Sequence, residues 1–140
     1  MILIAHRGNT QGPSEKENHP NHIVRAFGLG FDVEVDVWYR NGWYLGHDKP
    51  THETSYSFLQ TPGIWVHCKN YEAMKRAVGL HYFYHTTEDY VLTSHGYIWA
   101  FPGKPGGERT ICVLPFQGQA VNRFAGVCSD WVSKYKANPV

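Results

Sequence analysis

Phe31-Asp32-Val33-Glu34-Val35-Asp36-Val37-Trp38 alternates acids with β-formers along its whole length. Successive side chains of a strand point to opposite faces, so Asp32, Glu34 and Asp36 share one face and Val33, Val35 and Val37 the other. A valine face belongs against a core. Carboxylates spaced i, i+2 on one face repel unless a proton or a cation sits between them. The alternation therefore predicts a strand whose acids serve a site rather than solvation alone. His6-Arg7-Gly8 lies upstream and Gly46-His47-Asp48 downstream, each carrying an imidazole. The residues point to a metal-assisted hydrolytic site.

At 140 residues the chain reads as one domain, 1–140, with enough length for a single buried core. A formal net charge of +1 gives no electrostatic case for nucleic acid or an anionic membrane as partner. No apolar run approaches a membrane span. Met1-Ile2-Leu3-Ile4-Ala5 is too short for a leader core and runs straight into His6, so it reads as a first strand. Cys68, Cys112 and Cys128 lie in apolar strand-like runs without metal-ligand spacing, which fits buried thiols in a reducing, cytoplasmic setting.

Strands are expected at Ile2–Ala5, Phe31–Trp38, Trp43–Gly46, Ile64–Cys68, His81–Tyr84, Tyr90–Thr93, Tyr97–Ala100, Thr110–Leu114 and Gly126–Cys128. Helices are expected at Pro20–Leu29, where proline opens and glycines close the segment, at Tyr71–Val78 ahead of Gly79, and at Gln119–Phe124. Strands alternating with helices imply parallel pairing with crossovers. Eight full βα units take about 250 residues. The segment from Tyr90 to Leu114 shows no helical period. The expected fold is thus α/β, a reduced TIM-type (β/α) barrel with several helices shortened or missing; an open α/β sheet is the alternative.

In parallel α/β folds the reactive groups gather at the carboxyl ends of the strands. His6 and Arg7 end the first strand, Glu34 and Asp36 the second, and His47 follows the third. His67 and Lys69 share a face at the end of Ile64–Cys68. Imidazoles, carboxylates and cations in that mixture suit a phosphate ester. A divalent ion and two cations can neutralise phosphoryl oxygens while imidazoles move protons at neutral pH.

At His6-Arg7-Gly8, Glu17-Asn18, Glu34-Val35-Asp36-Val37 and Gly46-His47-Asp48, in that order, the chain resembles the glycerophosphodiester phosphodiesterase family, whose TIM-type barrel is shared with phosphatidylinositol-specific phospholipases C. The matching pieces cover about the first third of the chain. The resemblance implies that His6 and His47 are general acid and base, that Glu34 and Asp36 hold a divalent cation, and that Arg7 and Lys69 contact phosphate oxygens. It places Asn18 at the site entrance, bracing the loop or the phosphate. The family pattern carries a glutamate two residues before the lysine as a third metal ligand; this chain has His67 there, so Glu34, Asp36 and His67 form the expected metal set, with His85 as a fourth candidate. Mg²⁺, Ca²⁺ and Mn²⁺ are the cations the resemblance implies. Replacing a carboxylate by imidazole shifts preference from Ca²⁺ towards Mn²⁺ or Zn²⁺.

Two functions follow as expectations. One is a metal-dependent phosphodiesterase acting on a glycerophosphodiester-like or other small phosphodiester, by hydrolysis or by cyclising attack of a neighbouring hydroxyl. The other is a non-catalytic module that keeps the pocket and binds a phosphorylated ligand. Missing helices would bare an apolar flank, across which two copies of the chain would pair as a homodimer.

Overall fold

The structure is a computed structural model and describes residues 1–137. Its centre is β2 (Asp32–Tyr39), which pairs in parallel with β1 (Ile2–His6) on one side and with β5 (Ile64–Cys68) on the other. Beyond β5 lies β6 (Tyr82–Phe83), and beyond β1 follow β10 (Gly126–Ser129), β9 (Thr110–Val113) and β8 (Ile98–Ala100), all parallel. Antiparallel strands finish the sheet: β3 (Trp43–Leu45) on the end of β2, β4 (His52–Thr54) on β3, and β7 (Tyr90–Leu92) on β8. The result is a mixed α/β fold with a ten-stranded, mostly parallel sheet.

The alternation in β2 does what its pattern dictates. Val33, Val35 and Val37 are fully buried in the larger core cluster, together with Ile23 and Ala26 of α1 (Pro20–Gly28) and Ala73 of α3 (Tyr71–Arg76). Both helices have local start signals: the His19 ring accepts from the Asn21 amide ahead of Pro20, and the Asn70 side chain accepts from the Ala73 amide. The opposite face of the sheet carries a second cluster, with Ile4, Trp65, Phe83, Trp99, Ile111, Val113 and Cys128 drawn from six strands. The sheet curls over this cluster until the rings of Phe83 on β6 and Trp99 on β8 lie 4.5 Å apart. Glu34 and Asp36 face the same side, at the carboxyl ends of the parallel strands.

Several expected bounds shift by a residue or two, and one element differs in kind. Gln119–Phe124 is not a helix: Gly118 adopts φ +84°, and single turns close at Gln119 N to Phe116 O and at Phe124 N to Val121 O. One such turn suffices to drop Val121 and Phe124 into a third cluster with Cys112 and Val127. Two short helices, α2 (Tyr56–Leu59) and α4 (Ser133–Ala137), and the strand β4 complete the described elements. Among the described residues no helix is long and apolar enough to cross a membrane.

Candidate functional site

Parallel register brings the site together. His6 pairs with Glu34, and Asp36 with His67, across adjacent strands. Glu34 and Asp36 are 2% and 1% exposed, a degree of burial that charged carboxylates tolerate only when compensated. His67 Nδ1 supplies that compensation, lying 3.2 Å from Asp36 Oδ1 and 3.5 Å from Glu34 Oε2. Its Nε2 lies 3.0 Å from the carbonyl of His85, which can only accept, so Nε2 carries a proton and Nδ1 is turned to the acids. Burial alone would lower the His67 pKa, but its bonds to the two carboxylates and their charges raise it to about 9. Burial would likewise raise Asp36; the hydrogen bond and charge of His67, with Arg7 and Asn18, instead hold it down at about 2.

One ligand atom each from Glu34, Asp36 and His67 lies within 4.8 Å of the others. The donor set fits a divalent cation. Two buried carboxylates bring negative charge, and an imidazole braced through its far nitrogen by a backbone carbonyl is oriented as metal-ligating histidines are. His85 contributes its carbonyl to that bracing, while its own Nε2 pairs with the carbonyl of Glu88 at 2.7 Å.

Arg7 stands in the left-handed region at φ +56°, its amide bonded to the Glu34 carbonyl at 2.9 Å. The side chain is engaged by acids: Nη1 donates to Glu17 Oε1 at 3.0 Å, and Nε forms an ion pair with Asp36 Oδ2 at 3.3 Å. That Nε is the one buried side-chain polar atom without a hydrogen bond among the described residues. Asn18, also left-handed at φ +64° and 1% exposed, braces Asp36 rather than reaching outward. Its Nδ2 donates to Asp36 Oδ2 and its Oδ1 accepts from the Asp36 amide, both at 2.9 Å.

His6 holds a different partner on each nitrogen. Nδ1 lies 2.8 Å from Asp130 Oδ1, and Nε2 faces Glu34 Oε1 at 3.9 Å. Burial works against the charged ring, yet the hydrogen bond it donates to Asp130 and the charges of Glu34 and Asp130 leave its pKa raised. Asp130 also accepts from Asn9 Nδ2 at 2.9 Å, and Asn9 Nδ2 donates to Glu17 Oε2 at 3.0 Å. Asp130 and Asn9 carry no local sequence pattern of a site; the only available signal is position, since Asp130 follows the last parallel strand directly.

The fold thus brings His6, Arg7, Asn18, Glu34, Asp36 and His67 into one cluster, and sets His47 and Lys69 at its margin. His47 is 43% exposed and its Nδ1 pairs with Asp48 Oδ1 at 2.8 Å. Its turn is nevertheless tied to the site, because the Gly46 amide donates to the Asp36 carbonyl at 3.1 Å. The Lys69 amide donates to the Val37 carbonyl at 2.8 Å, and its ammonium forms no ion pair among the described residues. No family model, no curated protein and no solved structure matches this chain, so its chemistry is read from these residues alone.

Proposed function

We propose that the chain is a metal-dependent phosphodiesterase acting on a small, glycerophosphodiester-like substrate, on a reduced TIM-type barrel with most of its helices shortened or missing. The observation that carries the reading is the pairing of an Asp130-oriented His6 with a buried acid–imidazole triad that converges within 4.8 Å. Glu34, Asp36 and His67 would hold the cation. Bound there, a divalent ion supplies Lewis-acid neutralisation of a phosphoryl oxygen. The remaining chemistry belongs to side chains. With Nδ1–H donated to Asp130, a neutral His6 presents a bare Nε2 as base, and a protonated one presents an acid. Lys69, with no ion pair among the described residues, meets phosphate oxygens. His47 completes the pair once its ring leaves Asp48 and rotates about its own side-chain bonds towards the substrate.

The exposure of His47 favours a second reading, a non-catalytic phosphodiester-binding module that keeps the cluster without an assembled acid–base pair. One experiment separates the two. Hydrolysis of bis-(p-nitrophenyl) phosphate and of glycerophosphodiesters is followed with Mg²⁺, Ca²⁺, Mn²⁺ and Zn²⁺ for the wild type, His6→Ala, His47→Ala and Glu34→Gln. Turnover that needs metal, is highest with Mn²⁺ or Zn²⁺ and is lost in all three variants supports the enzyme. Phosphodiester binding without turnover under any ion supports the module. A cyclic phosphate among the products identifies attack by a neighbouring hydroxyl. The reading includes a reducing, cytoplasmic setting, in keeping with three buried free cysteines.

A further inference from the structure

A cavity of about 500 Å³ opens between α1 and the loop that follows β1. Its walls are Thr10 to Ser14 on one side and Lys16, Asn21, His22 and Arg25 on the other. The loop wall is fixed by backbone bonds: the Gly12 amide donates to the Asp130 carbonyl at 2.7 Å, and the Ser133 amide to the Thr10 carbonyl at 3.0 Å. Gly12 is held at φ +124° with the Trp131 ring against it, so closely that a Cβ there would meet ring carbon at 2.8 Å. The shape is therefore built by the fold rather than by chance packing of side chains.

Charge on this wall has one sign. Lys16 and Arg25 form no ion pair among the described residues. The acids of the same loop do not line the cavity; Glu17 is committed to Arg7, Asn9 and the Ser14 amide. His22 titrates below its ordinary range, through burial first and then through the positive charges of Arg25 and Lys16. Its tautomer is set from the far side. Asn9 Nδ2 donates to two carboxylates, so Asn9 Oδ1 must accept from His22 Nε2 at 2.9 Å, leaving His22 Nδ1 without a partner among the described residues.

We propose that this cavity binds a small phosphomonoester, held by Lys16 and Arg25, at a site separate from the Glu34–Asp36–His67 centre. A guanidinium and an ammonium with no acid between them match a dianion, and charge-assisted bonds to phosphate oxygens are the strong ones. The volume exceeds that of a bare ion and leaves room for a short esterified alcohol beside the Thr10 and Ser14 hydroxyls. Affinity at this wall does not depend on metal or turnover at the other centre, from which Asn9 and Glu17 divide it.

The full chain is titrated with inorganic phosphate and glycerol 3-phosphate by amide-resolved NMR and calorimetry, and with phosphatidylcholine vesicles with and without phosphatidic acid by co-sedimentation. Expected are shifts at Thr10, Ser14, Lys16, His22 and Arg25. Lys16→Gln and Arg25→Gln should each weaken affinity by about tenfold or more, the scale of one lost charge-assisted bond, while Lys69→Gln leaves it within twofold. Soluble phosphomonoester binding assigns a metabolite; binding to phosphatidic acid vesicles alone assigns a lipid headgroup, and both support the site. Two results overturn it: no binding of any probe, or binding lost in Lys69→Gln and kept in the Lys16 and Arg25 variants, which would put the anion at the metal centre.

Discussion

Asp130 and His67 define two separate demands on single residues. Asp130 touches His6 on the nitrogen that faces away from Glu34, so it acts by fixing the ring's tautomer and by raising its pKa. Asp130→Asn is expected to lower kcat by roughly 10²-fold, the usual scale of a positioned acid or base, with KM nearly unchanged. The acid limb of the pH–rate profile should move to lower pH as His6 loses the charge that raises it. An unmoved profile would show that Asp130 is only structural. His67 makes the opposite kind of prediction, because cation binding must displace the proton its raised pKa retains. Metal affinity should climb about tenfold per pH unit towards pH 9 and level off above it, as read by calorimetry. Without metal, a raised folded-state pKa stabilises fully below the ordinary value of 6.5, and that stability is lost as pH rises through about 9. Melting temperatures in EDTA should fall across that window for the wild type and less so for His67→Gln. The Glu34–Asp36 pair is legible in sequence from its i, i+2 spacing, whereas His67 enters the triad only through the resemblance, which expects a glutamate at its position. Asp130 is not legible, because its contact with His6 spans 124 positions and no local period encodes it.

At the scale of elements, the turn from Gly46 to Thr51 decides whether the second imidazole can serve the first. Gly46 sits at φ +154°, and a Cβ there would lie 2.1 Å from the Lys49 carbonyl oxygen and 2.8 Å from Thr51 Oγ1. Its carbonyl also accepts from Trp38 Nε1 at 2.7 Å, so the turn is clamped to the end of β2 at two points. Gly46→Ala must rebuild this turn at a cost of about 1–3 kcal/mol. Turnover should drop at least as far as in His47→Ala while metal affinity, set by β2 and β5, stays within a few-fold. Parallel loss of metal binding would mean that the turn supports Asp36 rather than His47. Which elements a sequence reveals follows from burial. β2 and β5 announce themselves because each has one wholly apolar face, and α1 and α3 because caps and apolar spacing agree. β4 stays hidden: His52, Glu53 and Thr54 are half-buried or exposed, with no side to mark by alternation. Gln119–Phe124 misleads because Val121 and Phe124 have helical spacing but need only one turn to reach the core.

The whole molecule is compact despite its few helices. Its accessible surface of 7493 Å² is close to the roughly 7,400 Å² that a monomer of this mass exposes, so the scarcity of helices leaves a local gap and not an open structure. That gap lies over β7 and β8. Tyr90 and Leu92 are 44% and 65% exposed, and with Ile98, Pro105 and Thr110 they line an apolar groove of about 530 Å³. Among the described residues β7 pairs with β8 alone, which leaves its outer edge open to another strand. The absence of helical period between Tyr90 and Leu114 makes the scarcity of helices legible in the sequence, but not where the bare flank falls. That depends on β7 turning back against β8, a reversal set by contacts across the Thr93–Gly96 turn rather than by any periodic signal. A second copy, presenting the same edge about a two-fold axis, would join β7 to β7 antiparallel and bury Leu92 from both sides. Sedimentation velocity of the wild type should therefore show a dimer at micromolar concentration. Leu92→Lys should return it to a monomer, because a lysine on the edge opposes strand addition. Melting temperature at low concentration and metal affinity should be the same in both proteins, since neither Glu34 nor His67 lies near this edge in the strand order. A wild type that sediments as a monomer at every concentration would leave the groove as ordinary surface and end the dimer proposal.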